Sequence, residues 1–541
     1  MASTASASTL IVNDDGGGNF TRIQNAINAS ADGDEIIVRG GTYQERLVVD
    51  RSIMLRGDGI PAVYGCDTGE PVIKITAANV TVEGFMISNC TDVMCMSGAV
   101  EVGSDGCKLL NNTIFNNTGH GVYIFKSDNH VISGNRIHDN GYLNIMIIDS
   151  DYNEISGNEI YRGGKSGILV ENSESSALTK NDVYENVETG ICLHKSEDCI
   201  ILNNNIRYNG EDGICAHHSV HNIIAQNEIR ENDLNGIVLC DLCSENIIAE
   251  NEVYSCKEYG IQITTTSNRN MLTDNTLSNN GVSGLGIRDS CSNRVLDNKF
   301  LNNSNNGLSL RDNSDRNVIV DNKACGNGRS GIRTERGNIN VFLANDVSKN
   351  GNGFIIEESG NSILLANNIH DNVFGINMEF AKNMIISNNS IYNNTNDGAQ
   401  LVHCIENTII DNEIHDNEGD GIHIAGSELN IISRNVISQN GERGMHALDS
   451  SDGNFLRHNI IEDSGLGGVY LYGGRDNVIA YNRLIENHDF NAMDNDDNFW
   501  FSNFYSDYAG SDLDGDGVGD VPYRIQGHRG EFVVDLAPLM R

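Results

Sequence analysis

Short alternations of apolar and polar residues recur at a fixed interval along most of this chain. The stretch GICLHKSEDCIILNNNIRYNGEDGICAHHS, Gly190 to Ser219, holds the phrase GIC-x-H twice, 23 residues apart. Glycines opening a G-apolar-x-apolar phrase run from Gly121 and Gly167 to Gly444 and Gly468, in steps of 22 to 24 residues after Gly167. Asparagines in N-x-apolar phrases keep the same register, from Asn135 and Asn158 to Asn459 and Asn482. Each unit reads G-I-x-L-x-x-S-x-x-N-x-I-x-x-N-x-I-x-x-N. That is three short strands of period-two alternation, separated by turns of Asn, Gly, Asp and Ser.

No unit holds an amphipathic helix, which excludes helical repeats. One unit cannot bury its own apolar face, whereas stacked units can, each strand pairing in parallel with its counterpart one coil on. The pattern predicts an all-β fold: a single right-handed parallel β-helix of three-strand coils, about 4.8 Å apart. Stacked asparagines would hydrogen-bond from coil to coil. The expected organisation is a tail over 1–18, a cap and irregular first coils over 19–120, regular coils over 121–490, and a C-terminal cap over 491–541.

Composition fits a turn-rich solenoid: 57 glycines against 4 prolines and 1 tryptophan, with 39% hydrophobic residues. The net charge of −39 excludes nucleic acid and anionic membrane as partners, since both need clustered Lys and Arg. No run of about 18 apolar residues is present, so no membrane span is expected. The N-terminal MASTASASTL shows no charged region followed by an apolar one, so no signal peptide is visible. Thirteen irregularly spaced cysteines do not form a small-domain disulfide framework.

Alternation also maps the exterior. Residues one and three places after each glycine point inward; those two and four places after it point outward, about 5 Å from their counterparts on the next coil. Three outward clusters follow. Cys192, His194, Cys215, His217 and Cys240 gather soft donors suited to copper or zinc; stacked free thiols or a disulfide are the alternatives. Glu335, Glu357 and Glu379 stack beside Arg288, Arg311 and Arg333. Like charges there would raise one carboxylate pKa and give an acid beside a base, while the arginines grip a uronate or sulfate; a solvated, charge-balanced surface is the alternative. His423, His446 and Tyr470, with Asn377, Gln400 and Tyr472 beside them, could abstract and return a proton next to a uronate carboxylate, or simply stack on sugar rings.

In SDLDGDGVGD, Asp512, Asp514, Asp516 and Asp520 occupy calcium-loop positions one, three, five and nine, with the Val518 carbonyl at seven. Tyr523 stands where an EF-hand has Glu, so a shorter extracellular type of structural calcium loop is expected, tying down the last strands.

The repeat resembles the pectin-lyase-like β-helix repeats of carbohydrate-binding proteins and sugar hydrolases, and more closely those of NosD-type periplasmic proteins. Two segments add to the resemblance. NFTRIQNAINASADGDEIIVRGGTYQERLVVDRSIMLRG (Asn19 to Gly57) is similar to the superfamily's N-terminal cap, which implies a helix around Ile23–Ala29. NAMDNDDNFWFSNFYSDYAGSDLDGDGVGDVPYRI (Asn491 to Ile525) is similar to the terminal segment of NosD-type and archaeal surface proteins. The resemblance implies an extracellular or cell-surface protein acting on or binding polysaccharide, as a lyase, hydrolase or epimerase for an acidic polymer. A non-catalytic structural or adhesive surface protein is the first alternative. A NosD-like copper-handling accessory is the second.

Overall fold

Alternate apolar residues go inside as the repeat requires. The strand Ile191–His194 buries Ile191 and Leu193 and leaves Cys192 and His194 half-exposed. The next two strands of that coil, Ile200–Leu202 and Asn205–Arg207, bury Ile201 and Ile206. Each fully buried Ile or Leu contributes about 1.5–3 kcal/mol, so every coil adds its own increment of core. A computed structural model describes residues 7–65, 69–91, 97–496, 498–527 and 532–540. The chain divides into two compact units, Met1–Asn275 and Thr276–Arg541. Each is a parallel β-solenoid in which successive coils pair strand to strand.

In the first unit, Ile168–Glu171 pairs with Ile191–His194, and that strand with Ile214–His217, in register. Cys192 therefore faces Cys215, and His194 faces His217. The stretch expected to be a tail contains a strand: Thr9–Val12 pairs in parallel with Glu35–Arg39, because its β-branched, apolar sequence continues the first sheet and buries Val12. A helix runs from Ile23 to Ala29 and buries Ile23, Ala26 and Ile27. The buried carboxylate of Glu45 accepts the N–H groups of Ile23 at 2.9 Å and Gln24 at 3.1 Å, satisfying donors at the helix start.

Rows of buried asparagine hold the turns of both units. In the first, Asn204 donates through Nδ2 to Leu178 O at 2.8 Å and to Asn227 Oδ1 at 3.0 Å, and its backbone N–H reaches the same Oδ1 at 2.9 Å. Asn227 repeats the pattern onto Ile201 and Asn251. In the second unit an equivalent row runs from Asn298 through Asn322 and Asn345. It ends where Asn503 gives its N–H and Nδ2 to Asp535 Oδ2, both at 3.0 Å. Two other asparagines near that end give their side-chain amide alone to an aspartate, Asn498 to Asp494 at 2.8 Å and Asn491 to Asp507 at 2.6 Å. The recurrent glycine has a steric cause: a Cβ on Gly421 would lie 2.6 Å from Gly444 O and 2.5 Å from Ile437 Cγ2.

The second unit finishes with Tyr523–Gln526 and Phe532–Asp535, an antiparallel pair. Tyr523 stacks on the buried Tyr505 with ring centroids 3.7 Å apart, and Trp500 Nε1 donates to Asp494 at 2.8 Å.

The asparagine rows set a measurable expectation. Asn227→Ala strands the Ile201 carbonyl and the Asn204 donors, so urea unfolding is expected to show a loss of about 2–4 kcal/mol. Asn305→Ala, at an exposed position, is expected to cost less than about 0.5 kcal/mol.

Candidate functional site

On the second unit, one outward column runs Asn377, Gln400, His423, His446, Tyr470, each in register with the next. Beside it stands a column one place before the glycine phrase, formed by Asp397, Asp420 and Arg443. Asp397 Oδ1 accepts the Asp420 N–H, and Asp420 Oδ1 accepts the Arg443 N–H, both at 2.9 Å. Their second oxygens turn to the histidines. Asp397 Oδ2 lies 3.2 Å from His423 Nδ1, and Asp420 Oδ2 lies 2.8 Å from His446 Nδ1. Both carboxylates are nearly sealed, at 6% and 2% exposure.

A carboxylate at Nδ1 selects the tautomer that leaves the far nitrogen as a base. His446 Nε2 is buried and has no hydrogen-bond partner. The two imidazoles are 5.0 Å apart, and Tyr470 stacks on His446 at 5.3 Å. The Arg443 guanidinium lies over Tyr470 at 5.3 Å and reaches Asp420 at 3.4 Å. Phe374, Asn396, Gln400 and Glu442 complete the lining of a 280 Å³ cleft. Burial works to raise the Asp420 pKa, but the His446 hydrogen bond and the charges of His446 and Arg443 prevail and hold it below the usual value. Burial works to lower the His423 pKa, but the Asp397 hydrogen bond and both aspartates prevail and raise it. Tyr472 is exposed, its ring 6.2 Å from Tyr470.

The glutamate cluster is assembled differently from the expectation. Glu335, Glu357 and Glu379 do follow one another in register. Arginines, however, separate their charges: Glu335 meets Arg311 at 3.0 Å, Arg333 at 2.9 Å and Arg336 at 2.8 Å, and Arg333 also binds Glu357. Arg288 pairs with Asp312 at 3.0 Å. Partial burial pushes the Glu335 pKa up, but Arg333, Arg311 and Arg336 outweigh it and hold the carboxyl below its ordinary range. The expected rise is therefore absent at Glu335.

In the first unit the Cys/His patch gathers as the register requires, with His217 facing Cys240. All three thiols are free. The hydrogen bond with Cys192, then burial, pushes Cys215 above the ordinary thiol range despite the opposing bond from Cys240. The hydrogen bond with Cys215, then burial, does the same to Cys240. Asp241, which the repeat pattern did not single out, joins His217 and Cys240 in a cluster with donor atoms within 4.8 Å of one another.

At the C-terminal loop, Asp512, Asp514 and Asp516 bring carboxylate oxygens within 4.8 Å of one another. Asp520 turns instead to the Leu513 N–H at 2.7 Å, and Val518 bridges to Leu539. Asp512 accepts Gly515 N–H at 2.7 Å and Gly517 N–H at 3.0 Å, so part of its coordinating capacity already winds the loop.

Asp397, Asp420 and Arg443 were legible one place before the glycine. Spaced by 23 residues, they follow the same period as the columns after it. Reading only the positions after the glycine left them out.

The family described as "Right handed beta helix region" matches residues 166–324, 312–459 and 407–506. That described as "Periplasmic copper-binding protein (NosD)" matches residues 27–193. Over 99 residues the chain is 35% identical to a cell surface glycoprotein of Methanothermus fervidus; this is 18% of the chain and 16% of that relative's length. Among solved structures, the A-module of a mannuronan C-5 epimerase from Azotobacter vinelandii is 16% identical, with 51% of this chain and 89% of that chain covered and a TM-score of 0.44. A DFA-IIIase from Arthrobacter chlorophenolicus A6 is 15% identical, with 58% and 94% covered and a TM-score of 0.42. Among the described residues no helix is long and apolar enough to cross a membrane.

The two opposed pKa shifts predict pH behaviour. A raised His423 pKa means its contribution is complete below about pH 6.5, the unfolded value, and fades as pH rises through the folded one. The lowered Asp420 pKa gives a contribution present above about pH 3.9 and lost as pH falls through its folded value. The melting-temperature difference between the parent and His423→Gln is thus expected to be larger at about pH 6 than at about pH 8.

Proposed function

The chain belongs to the right-handed beta helix family, and from that premise we propose that it acts on a uronate-containing polysaccharide at the cell exterior, by proton abstraction beside the uronate carboxylate. The observation that carries this reading is His446, with Nδ1 fixed by a buried aspartate 2.8 Å away and a buried Nε2 without a hydrogen-bond partner, which substrate entering the cleft would have to uncover. In this reading His446 Nε2 takes the proton from the carbon bearing the carboxylate, and Arg443 binds that carboxylate as negative charge spreads onto it. The bond from the neighbouring carbon to the glycosidic oxygen breaks, its electrons leave with the oxygen, and His423 or Tyr470 supplies a proton. A carbon–carbon double bond remains in the sugar.

Elimination is favoured over epimerisation by placement. His423, His446 and Tyr470 rise from successive coils of one sheet face. A base and an acid on one side of the sugar suit elimination on that side, whereas epimerisation needs a donor on the opposite face. The cell-surface placement draws support from the relative named as a cell surface glycoprotein. The 512–520 loop is read as a structural calcium site, resting on its three converging carboxylates.

The test is a panel of uronate polysaccharides followed by absorbance of the unsaturated product. His446→Gln and Asp420→Asn are expected to lower turnover by about 10²–10⁴-fold, with circular dichroism unchanged. Deuterium incorporation from solvent without unsaturated product would indicate epimerisation instead. Failure of both readouts, with binding retained, would leave an adhesive or structural role. Because the chain carries −39, binding of an anionic polymer is expected to tighten as salt rises from low to moderate ionic strength. For the loop, calcium is expected to raise the melting temperature of the parent and not of Asp512→Asn.

A further inference from the structure

We infer that the first unit carries a zinc-class metal site built from His217, Cys240 and Asp241, independent of the cleft on the second unit. Three kinds of donor converge there, an imidazole nitrogen, a sulfur and a carboxylate oxygen, all within 4.8 Å of one another. A tetrahedral zinc ion, with bonds of about 2.0–2.3 Å, holds its donors about 3.5 Å apart, so small side-chain rotations close the set.

The polar atoms are arranged as if for a shared cation. His217 Nδ1 is buried and makes no hydrogen bond. Asp241 Oδ2 is only 3.2 Å from it, yet no hydrogen bond of proper direction joins the two. An ion between them would satisfy the buried His217 nitrogen, which has no hydrogen-bond partner without one.

Repeat geometry explains how the carboxylate arrives. His217 and Cys240 are in-register neighbours on adjacent strands. The coil that begins at Gly236 has 24 residues where the preceding one has 23. Its turn takes two consecutive left-handed residues, Asp241 at φ 52 and Leu242 at φ 68, before Cys243 receives the Ser219 N–H. Asp241 holds the left-handed place that Lys195 and His218 hold in the preceding coils, next to the end of the strand.

The donor mixture selects the ion. Calcium takes oxygen ligands and would not use the thiol or imidazole. Copper(I) prefers thiolates and thioethers and gains little from a carboxylate. Nitrogen, sulfur and oxygen together suit zinc, and three protein donors leave a fourth position for a solvent molecule or a ligand. On binding, the Cys240 thiol releases its proton to solvent as the metal–sulfur bond forms.

The experiment uses the full chain, stripped of metal and titrated with cobalt(II) as a spectroscopic stand-in for zinc. One equivalent is expected to produce a thiolate-to-cobalt charge-transfer band in the near ultraviolet, displaced by zinc. The band should vanish in Cys240→Ser and persist in Cys291→Ser, a thiol of the second unit. Asp241→Asn, near-isosteric and so expected to preserve the fold, should weaken zinc binding about 10–100-fold. A band that survives Cys240→Ser, zinc affinity unchanged in Asp241→Asn, or retention of copper(I) alone with no dependence on Asp241 would each overturn the assignment.

Discussion

The buried asparagine side chain is the constraint on which the rest of this molecule depends. An amide offers two donors and an acceptor with two lone pairs, and within the rows each asparagine uses them on the neighbouring coils and on a turn carbonyl. Asn204, for example, serves Leu178 and Asn227 at once. A turn that leaves a strand every few residues would otherwise bury unsatisfied carbonyls and amides, at a cost that apolar burial alone could not offset. Because each row admits one alignment only, it also fixes which residues of neighbouring coils meet. Every proposed site inherits its geometry from that alignment.

The cleft of the second unit shows how a side-chain cluster is added to the scheme. The polar column before the glycine elsewhere contains Asn235, which accepts the Tyr259 N–H through Oδ1 at 3.1 Å. Asp397 and Asp420 do the same backbone task with Oδ1. The exchange of an amide nitrogen for a second carboxylate oxygen frees one acceptor in each, and that acceptor orients a histidine. The structural duty remains, and an aspartate–histidine contact is added on each of two coils.

Much of this was readable beforehand, and the failures have physical causes. Period and alternation placed His423 against His446 and Cys192 against Cys215, because parallel pairing converts sequence distance into contact. What period cannot convey is compensation. Glutamates stacked coil on coil look like mutual repulsion, yet Arg333 reaches across two coils to Glu335 and Glu357 and reverses the electrostatics. Nor does it convey what turns do: Asp241 reaches His217 from a turn position that strand alternation does not describe. The N-terminal strand Thr9–Val12 was missed because only one strand of that length precedes the repeats, leaving no period to detect.

The rows of the second unit have a direction. In the row from Asn298 to Asn503 each asparagine points its backbone N–H toward the following coil, so small dipoles add along the row and leave partial positive charge where it stops. There the molecule places an aspartate, Asp535. The arrangement is the β-solenoid counterpart of an acidic residue at the start of an α-helix. An acceptor with no proton to pass on works as a full stop, and the solenoid marks its own last line electrostatically.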